Sequence, residues 1–170
     1  MKTIKFFIIA IAITACSSGS FAQETATATA TATIVTPISI TKTVDINFGT
    51  VAVQSTTAGT VILSVGGVRT QTGGVTLPAV TGTVTAASFD IAGEPNYTYA
   101  ITLPSAPLTI SSSSNNMTVT TFVSNPAVTG QLTAGGTQTL TVGATLNVAA
   151  AQPSGVYVNP AGFNVTVNYN

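Results

Sequence analysis

The chain has no histidine, no tryptophan and a single cysteine, and only four basic and four acidic residues among 170. Charged side chains make up 5 % of it, against roughly 25 % in an ordinary soluble domain. Without histidine, the residue most used as a general base and metal ligand near neutral pH is missing. Ser-His-Asp and Cys-His nucleophilic sites are thereby excluded. Four bases against four acids, with no basic cluster, leave no electrostatic footprint for nucleic acid. No zinc-ligand spacing, phosphate-binding glycine loop or haem motif occurs, so no cofactor is expected. What the chain does have is 45 % apolar residues, enough to bury a core and to exclude wholesale disorder.

Lys2 and Lys5 precede an apolar run from Phe6 to Ile13, and small residues follow in Ser17-Ser18-Gly19-Ser20-Phe21-Ala22. This is the order of a secretory signal, and the run is too short to cross a bilayer, which takes about 20 residues. Ser20 and Ala22 suit the −3 and −1 positions of a cleavage site before Gln23, which predicts a signal peptide over residues 1–22. A second route competes: Ile13-Thr14-Ala15-Cys16 is similar to a bacterial lipobox, in which Cys16 would be lipidated and begin the mature chain. Cleavage between Ala22 and Gln23 is favoured because the residues before it are well formed. Either route exports the protein, to the cell surface, the outer membrane or the medium. Membrane attachment is expected only through a lipidated Cys16. Once the signal is removed, Lys42 and Arg69 face Glu24, Asp45, Asp90 and Glu94, a net charge of about −2. No cysteine then remains for a disulfide, so sheet hydrogen bonds and an apolar core must hold the fold.

Thr, Val, Ala and Ser dominate, and β-branched residues suit a pleated, half-buried surface. In Thr137 to Val148, Leu140, Val142, Ala144, Leu146 and Val148 fall on one face and Thr139, Thr141, Thr145 and Asn147 on the other. That is period two, the period of a strand. Tyr97, Tyr99, Ile101 and Leu103 repeat it before Pro104, and Phe163, Val165, Val167 and Tyr169 repeat it at the end of the chain. Breakers punctuate these runs at Gly66-Gly67, Gly73-Gly74, Gly93 to Asn96, Ser111 to Asn116, Asn125-Pro126, Gly135-Gly136 and Pro153 to Gly155,. No amphipathic helix is evident. The pattern predicts an all-β fold, an antiparallel immunoglobulin-like β-sandwich, over residues 37–170.

Residues 23–36 stand apart. Thr25 to Thr33 is a strict alternation of Thr and Ala running on into Ile34-Val35. It reads as a first strand, as a flexible tail, or as a strand supplied to the sheet of a neighbouring subunit. Ala and Thr differ little in size and specify register poorly, whereas Phe163, Val165, Val167 and Tyr169 specify it well. The C-terminal strand is therefore expected to be integral to the sandwich. If strands are exchanged between subunits, the N-terminal segment is the expected mobile element.

Pro37 to Gly49 (PISITKTVDINFG), Gly93 to Pro104 (GEPNYTYAITLP), Leu132 to Leu146 (LTAGGTQTLTVGATL), Gly155 to Tyr157 and Val165 to Asn170 together resemble a family of secreted bacterial domains known as domain of unknown function 4402. The resemblance covers most of the chain after the signal and implies an exported β-domain without an assigned activity. Asn159-Pro160-Ala161 departs from its pattern and puts strand continuity there in question. Gly155, Tyr157, Phe163, Val165, Val167 and the penultimate Tyr169 share one phase. In this they are similar to the assembly strand of chaperone–usher fimbrial subunits, which implies pairing with other subunits at a strand edge.

The remaining chemistry is thin. A Ser–Lys site would have to use Lys42, set among threonines in an exposed strand. A glycosidase pair would need two of Glu24, Asp45, Asp90 and Glu94, of which Asp90 and Glu94 flank an expected turn at Ile91-Ala92-Gly93. Asp45, Asn47, Asp90 and Glu94 offer few of the six to eight oxygens that calcium takes. Tyr97, Tyr99, Tyr157 and Tyr169 would suit stacking on a glycan if exposed, but their place on apolar faces favours the core. The sequence thus points to a non-enzymatic, exported structural β-domain, a fimbria-like or cell-surface subunit assembling through strand pairing. The competing reading is a surface-displayed binding module or adhesin, with a glycan as ligand and Cys16 as its anchor.

Overall fold

The computed structural model describes residues 23–170, so the expected signal, with Cys16 and Ala22, lies outside the described residues. The chain divides into two units, Met1–Ile34 and Val35–Asn170. In the first, residues 23–34 carry no regular structure and every side chain is exposed, Ile34 at 95 %. Ala and Thr side chains bury too little area to offset the entropy of ordering them alone.

The second unit is all-β and antiparallel, with no helix among the described residues. Its strands are β1 (Ser39–Val44), β2 (Ala52–Val53), β3 (Gly59–Leu63), β4 (Arg69–Gly73), β5 (Val75–Thr76), β6 (Ala87–Ala92), β7 (Thr98–Thr102), β8 (Leu108–Ser112), β9 (Asn115–Asn125), β10 (Thr129–Gln131), β11 (Thr137–Val148) and β12 (Thr166–Tyr169). Seven of them form one sheet around β11. The alternation of β11 buries Leu140, Val142, Ala144, Leu146 and Val148 together, as its sequence requires. Along one side β11 pairs with β9; along the other it pairs first with β6 (Thr137 to Val142) and then with β3 (Ala144 to Val148). The change of partner falls at Gly143, where a side chain would collide with the Leu63 carbonyl oxygen. Strand β1 extends the sheet beyond β6, β4 beyond β3, and β8 beyond β9.

A second sheet, in the order β10-β7-β12, packs over the first half of β11. Between them lie Phe89, Ile91, Tyr99, Ile101, Leu140, Val142 and Val167. Tyr99 is fully buried, and its hydroxyl donates to Gln138 Oε1 at 2.6 Å. That satisfies the one polar atom which burial would otherwise penalise. Over the second half of β11 a separate cluster gathers Phe48, Val61, Leu63, Val75, Val119, Leu146 and Val148. Here only the two-residue ribbon β2-β5 and irregular chain supply the facing layer.

Two expectations need correcting. Asp90, Ile91 and Ala92 belong to β6, with Ile91 in the core, and the chain turns only beyond them at Gly93. The apolar demand of the Ile91 position overrides the breaker that follows. Ser111 to Asn116 is not a loop throughout: the β8–β9 ladder runs up to the Ser112–Asn115 pair and leaves a two-residue turn at Ser113-Ser114.

Candidate functional site

The Phe163–Tyr169 phase reads as the sequence suggests. Val167 is buried, Phe163, Val165 and Tyr169 are half-buried against the same core, and Asn164, Thr166, Asn168 and Asn170 are exposed. Only Thr166–Tyr169 forms a ladder, with β7. Upstream the chain turns at Pro160-Ala161, where Asn159 accepts from the Ala161 amide and the Gly162 amide donates back to the Asn159 carbonyl. The outer edge of β12 pairs with no other strand among the described residues, although β1 passes beside it.

The end of β12 grips the start of the domain. Tyr169 Oη donates to the Thr36 carbonyl at 2.8 Å and accepts from the Glu94 amide at 2.6 Å. The Thr36 amide in turn donates to Glu94 Oε2 at 2.8 Å. Gly93 makes room for this, because a Cβ there would meet the tyrosine hydroxyl. The Thr36 amide holds the Glu94 carboxyl below its ordinary pKa. A lowered pKa means that the grip is complete above the ordinary glutamate value and loosens as pH falls through the lowered one. The Thr36 amide resonance, followed by NMR from neutral pH downward, should titrate with a midpoint below the ordinary glutamate value. A midpoint at or above that value would rule the grip out.

Over the second half of β11 the facing layer is incomplete. A cleft of about 1120 Å³ opens between two stretches, residues 42–53 (the end of β1, a loop and β2) and the irregular residues 152–163. Its floor is the inner face of the large sheet: Leu108 and Ile110 on β8, Met117 and Val119 on β9, Leu146 and Val148 on β11. Leu108, Ile110 and Met117 are only half-buried because nothing lies over them. Each wall is fixed by its own hydrogen bonds. Arg69 Nη1 donates to the carbonyls of Phe48 (2.6 Å) and Thr50 (2.8 Å), and Asn47 bridges to Thr85. On the other wall Tyr157 Oη donates to the Pro153 carbonyl at 2.7 Å and accepts from Gln152 Nε2 at 2.9 Å, while Val158 bridges to Ser111. No hydrogen bond joins the walls to each other along their length. At one end the Ala151 amide closes the gap on the Gln54 carbonyl at 3.0 Å.

The other candidate residues are scattered. Lys42 pairs with Asp45 at 2.5 Å on the exposed surface, a contact worth little in water,. Asp90 Oδ1 accepts from Thr139 Oγ1 at 3.2 Å, so Asp90 and Glu94 are held by different partners. Among the described residues no group of three or more His, Cys, Asp or Glu side chains gathers. The tyrosines do not form one platform. Tyr99 is buried, Tyr157 braces a cleft wall, and Tyr97, 45 % exposed, meets Tyr169 edge-on at 5.6 Å. Sequence reasoning missed Arg69, whose role in clamping two carbonyls leaves no local signature in a Thr-rich strand. It missed the cleft for a related reason, since an absent strand has no residues to read.

No curated protein and no solved structure matches the chain. Residues 38–169, from the residue before β1 to the last residue of β12, match the family model described as Domain of unknown function (DUF4402), and the chain belongs to that family.

Proposed function

We propose that this protein is an exported, non-enzymatic structural subunit of a cell-surface or fimbria-like assembly, joined to its neighbours by strand pairing. The observation that carries this reading is the unfinished sandwich. Strand β12 ends its sheet with one edge unpaired among the described residues, and a cleft in the same unit has an apolar floor with no covering strand. Unpaired edges template pairing with another chain, and apolar surface left open in a recess favours an occupant. The scarcity of charge supports the same reading, because side-by-side packing then meets little repulsion,. A recess on one copy filled by a projection from another is a head-to-tail contact, which propagates into open fibres unless the rotation closes a ring. Export rests on the signal-like residues 1–22, with Gln23 as the mature N-terminus.

Sedimentation velocity and negative-stain microscopy of the 23–170 chain test the reading. Oligomers growing with concentration, or fibres, are expected. A strictly monomeric species at millimolar concentration would overturn it.

A further inference from the structure

Among the described residues, the cleft and the N-terminal segment are left without a packing partner. Residues 23–34 belong to the first unit, carry no regular structure and expose Ile34 almost completely. The cleft has a sheet face as its floor and no strand of the described residues above it. We propose that the cleft is the docking site for Thr25–Ile34 of a second copy of this chain. That segment enters as an added strand, with Ala26, Ala28, Ala30, Ala32 and Ile34 facing the floor. This inference rests on the reading of the protein as a strand-paired subunit and names the strand and its site.

Three features favour this occupant. The segment alternates with period two, so an extended chain places every Ala and Ile34 on one face and every Thr on the other,. Small residues suit a floor that already carries Leu108, Ile110, Met117 and Leu146, because facing layers interdigitate best when large meets small. Ten extended residues reach about 33 Å, the span of an ordinary strand or more. Neither side brings an unmatched charge: Glu24 precedes the strand, and Lys42 at the cleft is paired with Asp45.

The chain that leads from the segment into the domain is held at Thr36. Thr36 is gripped at both its amide and its carbonyl by Glu94 and Tyr169. Pro37 holds the preceding residue extended.

The test is one of parity in the 23–170 chain. Ala28→Asp would set a charge against the apolar floor, whereas Thr29→Asp would set it toward solvent. Both positions are exposed and without regular structure, so circular dichroism should report an unchanged fold in each. Ala28→Asp is expected to raise the concentration needed for assembly by at least about tenfold and Thr29→Asp by less than about twofold. Because residues 23–170 contain no cysteine, cross-linking gives a second readout. Chains carrying Met117→Cys are mixed under oxidation with chains carrying a single Cys at 26, 28, 30 or 32, or at 25, 27, 29 or 31. Mixed dimers are expected from the Ala set and not from the Thr set. Oligomers that respond equally to both Asp variants, or to neither, would overturn the inference while leaving the assembled subunit standing. A cross-link formed only within one molecule carrying both cysteines would overturn it in favour of self-insertion. A wild-type chain that never associates would remove both the inference and the reading beneath it.

Discussion

Val167→Asp is expected to leave the 23–170 chain unfolded at room temperature. Val167 is 7 % exposed and lies in the cluster with Phe89, Tyr99, Ile101 and Leu140. A carboxylate there would lose its water and find no cation, since the described residues hold only Lys42 and Arg69, both already engaged. Burying an unpaired charge costs several kcal/mol, and a domain's whole stability is about 5–15 kcal/mol. The same change one residue earlier, Thr166→Asp, falls on the exposed face and should shift stability by no more than about 0.5 kcal/mol,. Urea titration followed by circular dichroism separates the two. If both variants unfold at the same urea concentration, β12 is not integral to the sandwich.

The second large effect is expected at Gly143. The central strand changes neighbours there, from β6 to β3, and its pairing with β9 shifts register between Gly143 and Thr145. The switch brings the backbone of Leu63 and Ser64 against the glycine Cα, so that a Cβ would overlap the Leu63 carbonyl. A backbone atom cannot turn aside as a flexible side chain can. Gly143→Val should therefore push β3 away from β11 and cost about 3 kcal/mol or more, with Gly143→Ala in between. Equilibrium unfolding of the three chains measures the series. A valine variant within about 0.5 kcal/mol of the parent would mean that β3 does not approach so closely in solution.

These two sites also mark how far the sequence could be read. The alternation of Leu140, Val142, Ala144, Leu146 and Val148 reveals β11 and its buried face to the residue, because period two is written locally,. The integral place of Val167 was equally legible. Which strand lies beside which was not. Gly143 reads as one more small residue in a strand, and only contacts with Leu63, far away in sequence, give it meaning. Tyr97 shares the phase of Tyr99 yet stays exposed because the chain is still leaving its turn at Asn96, where φ is 64°. The break expected at Asn159-Pro160-Ala161 is real, and it is why the final ladder begins only at Thr166. The ribbon β2-β5 is too short to show an alternation at all.

The placement of the two cations has a bearing on proteolysis. In residues 23–170 a trypsin-like protease has two bonds to attack, after Lys42 and after Arg69. Lys42 lies within the β1–β6 ladder and Arg69 begins the β3–β4 ladder, with its guanidinium tied to Phe48 and Thr50. Such an enzyme must draw several residues of extended chain into its active site, so neither bond can be cut until a ladder has opened. The exposed Thr/Ala segment, where nicking would otherwise concentrate, contains no lysine or arginine. Digestion by such an enzyme is therefore limited by how often the sheet opens, even though residues 23–34 are exposed and carry no regular structure.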